Sequence, residues 1–81
     1  MSVRAKIEQQ MKAVSKQYGG RLALLRDDLL LVDSGLDSLA LAVLVSRLED
    51  ELGVDPFAET SGDDFPETLG EFVQFYERAM V

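Results

Sequence analysis

Apolar residues recur along this chain with a helical period. Val3, Ile7, Met11, Val14 and Tyr18 follow one another at intervals of four, four, three and four. That spacing puts them on one helix face, with Arg4, Lys6, Glu8, Lys12 and Lys16 on the other. Lys12 and Lys16 fall late, where cations suit the negative end of the dipole, and Gly19-Gly20 supplies a stop. The pattern predicts a first helix over about residues 3–18.

From Arg21 to Asp37 the period is lost. Leu22, Leu24, Leu25, Leu29, Leu30, Leu31 and Val32 are too apolar for a free linker. Asp27-Asp28 and Ser34-Gly35 break any long helix, leaving room for a short helical turn near residues 22–26. The expectation is a long loop laid over a helical core with its apolar groups inward.

A second helix is expected to begin at Asp37 or Ser38, either of which can cap it. Leu41, Leu44, Val45, Leu48 and Leu52 form its core stripe, and Gly53 ends it. Its first two turns are apolar nearly all round, which means deep burial or a surface offered to a partner. Val54 to Phe65 is acidic and turn-rich, and Asp63-Asp64-Phe65 could make one helical turn. Thr68 and Glu71 have capping-box spacing, and Leu69, Phe72, Val73, Tyr76 and Met80 then predict a third helix over about 68–79. No strand pattern occurs. The fold class is all-α: a small up-down bundle of three to four helices with a long loop between helices 1 and 2.

Eighty-one residues form a single domain, 1–81. There is no cysteine and no histidine. That removes the thiolate nucleophile, the usual metal ligands, the usual general base and every serine–histidine triad, so the chain reads as no enzyme. Net charge is −7 and uneven. Residues 1–26 carry six cations against Glu8 alone, whereas residues 27–81 carry Arg47 and Arg78 against every other acid. Such a surface repels nucleic acid and anionic membrane and attracts basic partners. The start of the chain has no apolar signal region, and the longest apolar run, Leu39–Val45, is seven residues, too short to cross a bilayer. A cytoplasmic monomer is expected.

The chemistry left open centres on Ser38. A serine at a helix start is by default a cap, but Asp37 is itself a competent cap. A hydroxyl at that place is accessible, and the helix N-terminus favours an attached anion such as a phosphate.

Gly35-Leu36-Asp37-Ser38-Leu39 resembles the phosphopantetheine attachment motif of acyl carrier and peptidyl carrier proteins. The likeness extends to Leu31 before the glycine, to the Arg47–Val54 stretch, and to Thr68-Leu69-Gly70-Glu71 at the last helix. It implies that Ser38 is joined to 4′-phosphopantetheine, donated from coenzyme A by a phosphopantetheinyl transferase. The transferase would use magnesium, with Asp37 as a nearby carboxylate. Leu36 and Leu39 would be apolar contacts for that enzyme and for later partners. The arm's thiol would carry an acyl or aminoacyl thioester from a loading enzyme to a downstream transferase, which explains how a chain without cysteine serves thioester chemistry.

The sequence departs from the fatty-acid type of carrier in one respect. Residues 39–46 carry no charge, and Val43 stands where a glutamate is common. Two readings follow: partner recognition is more apolar here, or the extra apolar residues pack beneath the loop. The departure suggests a specialised discrete carrier. A competing expectation is an unmodified helical interaction module that uses the apolar face of helix 2. Asp55, Glu59, Asp63 and Asp64 lack the spacing of a calcium loop and read as solvated acids, so no metal site is expected. Phe57 and Phe65 read as core-edge aromatics that could part to shelter a short apolar cargo, with plain packing the stronger expectation.

Overall fold

The structure is a computed structural model, which describes residues 2–18, 20–57 and 65–80. Among them are three α-helices, α1 (Val3–Gln17), α2 (Ser38–Leu52) and α3 (Leu69–Ala79), and a 3-10 turn at Leu31–Asp33. None has a neighbour in a regular strand; the only β pairing among the described residues is an isolated antiparallel bridge between Leu30 and Thr68. The expected turn at Asp63-Asp64-Phe65 falls partly outside the described residues.

Each helix begins where a short polar side chain can take a free amide. Ser2 Oγ accepts from the Ala5 amide at 3.1 Å and opens α1. Ser15 and Gly20 close it reciprocally: the Gly20 amide donates to the Ser15 carbonyl at 3.1 Å, and Ser15 Oγ donates to the Gly20 carbonyl at 3.0 Å. Gly53, in the left-handed conformation with φ 73°, ends α2 by donating to the Glu49 carbonyl. Thr68 Oγ1 accepts from the Glu71 amide at 3.2 Å at the start of α3. The reciprocal half of the capping box is displaced by one residue. Glu71 Oε2 accepts from the Glu67 amide, not from that of Thr68.

α1 packs against both other helices. Ile7, Met11 and Val14 meet Ala40, Leu44 and Leu48 of α2 and Leu69, Phe72, Val73 and Tyr76 of α3 in one core. The α2 stripe is rotated from the expected one. Ala40 is buried at its centre, while Leu41, Val45 and Leu52 sit at the core edge. At the ends of the stripes Tyr18 and Met80 are a little under half exposed. Arg47 bridges α2 to α1, donating to Gln17 at 2.7 Å and to Gln10 at 3.4 Å.

The connection between α1 and α2 has no helix at residues 22–26; its helical turn lies later, at Leu31–Asp33. Irregular backbone against a core must find partners elsewhere, and here α3's entrance supplies them. The Leu31 amide donates to the Glu67 carbonyl, Leu69 to Leu29, and Gly70 to Asp27, at 2.8, 2.8 and 3.0 Å. Gly70 is what lets the chains approach, because a Cβ there would stand 3.0 Å from the Asp27 carbonyl oxygen. Arg4 adds an ion pair to Asp27 and another to Glu8, which together raise its pKa.

The apolar residues of this connection do not all point inward. Leu31 and Leu36 are core, and Leu22, Leu25 and Leu29 pack at its edge. Leu24 is 78% exposed and Val32 83% exposed. Nothing in the sequence separates these two from their neighbours, because irregular backbone has no period.

Candidate functional site

Ser38 is the first residue of α2 and is exposed. Asp37, not Ser38, caps the helix: its Oδ1 accepts from the Ala40 amide at 2.8 Å, and its carbonyl accepts from Leu41 at 2.9 Å. The Ser38 hydroxyl therefore has no capping duty and no hydrogen-bond partner among the described residues. The amides of Ser38 and Leu39 also lack an acceptor among those residues, so they stand open at the positive end of the helix.

The chain reaches this point through a turn built on two residues. Ser34 is wholly buried; its Oγ donates to the Leu31 carbonyl at 2.6 Å and accepts from the Leu36 amide at 3.3 Å. Its carbonyl accepts from Ala23, holding the two limbs of the connection together. Gly35 follows with φ 96°, and a Cβ there would meet the Arg21 carbonyl oxygen at 1.9 Å. Sequence reasoning missed Ser34. Its only signal was a Ser-Gly pair, which marks a turn without saying that the hydroxyl is buried.

The two leucines beside the motif part ways. Leu39 is 61% exposed, on the strip of α2 that includes Ser38. Leu36 is 5% exposed and belongs to the core cluster. Leu36 thus anchors the turn from inside, which corrects its expected place as a surface contact. Val43 is half-buried against the core, so part of the uncharged run on α2 is packing.

Beside Ser38 lies a groove of about 470 Å³, lined by Ser38, Leu41, Ala42, Val45, Phe57 and Phe65. A second, of about 600 Å³, runs between the 3-10 turn and the approach to α3, and shares Leu41 and Phe65 with the first. Phe57 is the inner wall. Its ring stacks on Phe65, Phe72 and Phe75 at centroid distances of 5.1, 5.8 and 5.6 Å, and meets Tyr76 edge-on at 5.7 Å. Behind it the Tyr76 hydroxyl is buried without a hydrogen-bond partner among the described residues. Burial pushes its pKa well above the usual tyrosine range, with Asp55 and Glu49 adding to the effect. Glu59, Asp63 and Asp64 lie outside the described residues, and no cluster of three or more metal-ligating side chains occurs among the others. No helix of the described residues is long and apolar enough to cross a membrane.

This arrangement suits an anionic substituent on Ser38: an exposed, unengaged hydroxyl beside open amides at the helix start. Comparisons with known proteins agree with it. The phosphopantetheine attachment site family matches residues 3–75. The non-reducing polyketide synthase CTB1 of Cercospora beticola is 41% identical over 54 residues, 67% of this chain and 2% of the synthase. The synthase VdtA of Byssochlamys spectabilis is 38% identical over 66 residues, 82% of this chain and 3% of the synthase. The chain thus spans a small fraction of these relatives. A solved structure of MacpD, an acyl carrier protein of Pseudomonas fluorescens involved in mupirocin biosynthesis, superposes with a TM-score of 0.81. It is 34% identical, and the match covers 98% of this chain and 71% of that one.

Proposed function

Because this chain belongs to the phosphopantetheine attachment site family of carrier proteins, we propose that Ser38 is the residue to which its arm is joined. Carrier domains of this family are themselves non-catalytic. One observation supports Ser38 above all: its hydroxyl is exposed and idle at the start of α2, while Asp37 performs the capping. Joining 4′-phosphopantetheine forms one phosphodiester bond at Ser38 Oγ. It breaks the pyrophosphate of coenzyme A, releases adenosine 3′,5′-bisphosphate, and passes the hydroxyl proton to the transferase.

When bound, the arm supplies a thiol that holds cargo as a thioester. The chain's own residues do the rest. Asp37 fixes the helix start, and its other carboxylate oxygen would be available to the transferase's magnesium. Leu36 and Ser34 hold the turn from within, and Leu39 faces the enzymes that come to it. The cargo is an acyl chain of the polyketide kind, in keeping with the synthases and the carrier it resembles. An aminoacyl group is the second reading.

Incubation with coenzyme A, magnesium and a broad-range phosphopantetheinyl transferase tests this. Intact mass should rise by one arm in the parent and not in Ser38→Ala. An equal gain in both, or none with any of several transferases, overturns it. The latter result is what an unmodified interaction module would give.

A further inference from the structure

Residues 9–26 hold Lys12, Lys16, Arg21 and Arg26 and no acid, in a chain of net charge −7. Arg26 pairs with Asp28, whereas Lys12, Lys16 and Arg21 are exposed and form no ion pair among the described residues. Lys12 stands where two further grooves join. One, of about 390 Å³, follows α1 from Ser2 to Lys12. The other, of about 540 Å³, lies between Glu8 and Lys12 on one side and Leu22, Leu24 and Leu25 on the other. Leu24 is 78% exposed. Glu8, shared by both grooves, is already engaged by Arg4 at 2.8 Å. Lys16 is one turn beyond Lys12 on the same face of α1, and Arg21 directly precedes Leu22. Neither groove shares a lining residue with the groove beside Ser38.

We propose that this trough along α1 is a docking surface separate from Ser38, and that its occupant is an acidic amphipathic segment of a partner protein. The segment's apolar side would lie on Leu24 and its carboxylates toward Lys12, Lys16 and Arg21. Charge complementarity carries the sign, because three cations without acidic partners lie together in an otherwise acidic protein. Leu24 carries the apolar half, since an all-polar occupant would leave its exposed side chain in water. Length fits as well: from Ser2 to Lys12 the helix rises about 15 Å, the span of about three turns of a partner helix. A polyanion fits poorly. Nucleic acid or an anionic bilayer extends beyond the trough toward residues 27–81, where Arg47 and Arg78 alone face every acid but Glu8. A short segment meets the cations and leucines alone and leaves Ser38 free for its enzyme.

The probe is a synthetic amphipathic peptide of about twelve residues, glutamate on one face and leucine on the other. It is titrated into nitrogen-15-labelled protein and followed by amide chemical shifts in about 50 and about 500 mM NaCl, where screening lengths differ several-fold. The amides of Glu8, Lys12 and Leu24 should shift and saturate with a Kd below ~1 mM, while those of Ser38 and Ala42 stay in place. Lys12→Glu should weaken binding at least ~5-fold in low salt and less in high salt, and Leu24→Ser at least ~3-fold in both. Both side chains are exposed, and circular dichroism checks that each variant is folded. Ser38→Ala should bind as the parent does, so the result is independent of whether the arm is joined there. No saturable shift below ~5 mM peptide, or shifts centred on Ser38 and Ala42, overturns the proposal. Equal binding by an all-glutamate peptide overturns it too, as does tighter binding at the same amides by a single-stranded oligonucleotide or by phosphatidylglycerol vesicles.

Discussion

Gly35 lies directly against Arg21: the Cβ it lacks would stand 1.9 Å from the Arg21 carbonyl oxygen. The obstacle is backbone, which cannot swing aside as a side chain can. Gly35 also has φ 96°, a conformation that L side chains rarely adopt. Together these route the chain from Ser34 into Asp37 and set where α2 begins. Gly35→Ala should therefore cost at least ~2 kcal/mol, measured from urea midpoints. Gly53 offers a control, because its φ is 73° but nothing lies within 4 Å of its Cβ position. Gly53→Ala should cost only about 1 kcal/mol, the conformational part alone. Equal losses at the two sites would mean that the contact with Arg21 does not matter.

Capping divides Asp37 from Ser38. Asp37 Oδ1 takes the Ala40 amide at 2.8 Å, and Ser38 takes none. Asp37→Ala should lose about 1 kcal/mol of stability. Ser38→Ala should remain within about 0.5 kcal/mol of the parent. Thermal or urea unfolding of the unmodified proteins reads both, and a larger loss at Ser38 would assign the cap to the wrong residue.

Tyr76 is fully buried, and its hydroxyl has no hydrogen-bond partner among the described residues. Tyr76→Phe removes the unsatisfied group and keeps the ring, so stability at neutral pH should be unchanged or rise by about 1 kcal/mol. Its titration adds a second readout. The raised pKa means that the folded state holds its proton more firmly than the unfolded state. That stabilisation is complete below the unfolded tyrosine pKa of about 10 and is lost as pH climbs beyond it toward the folded value. The parent should weaken above about pH 10 more steeply than Tyr76→Phe. Parallel pH profiles would argue against a buried hydroxyl.

Phe57 touches four other rings yet is itself only half-buried. Phe57→Ala should cost about 2–3 kcal/mol, somewhat less than a fully buried phenylalanine. The aromatic near-ultraviolet signal should fall with it, while far-ultraviolet helicity stays. Retention of the near-ultraviolet signal would show that Phe65, Phe75 and Tyr76 are ordered without it.

Local rules in the sequence determined the three helices. Periodic apolar positions, the caps Asp37 and Thr68 and the stop at Gly53 act within a few residues, so the elements appear nearly as expected. The attachment motif and the unusual lack of charge after it were equally legible, because both are contiguous. Tertiary structure alone decided which faces those elements use. Leu36 and Leu39 looked alike in the motif, but the turn at Gly35 sends one into the core and the helix leaves the other in solvent. Between α1 and α2 no period distinguishes Leu31, which is buried, from Val32, which is not. That choice depends on backbone hydrogen bonds to Glu67, Leu69 and Gly70, more than thirty residues away in the chain. Contacts at such separation leave no local mark.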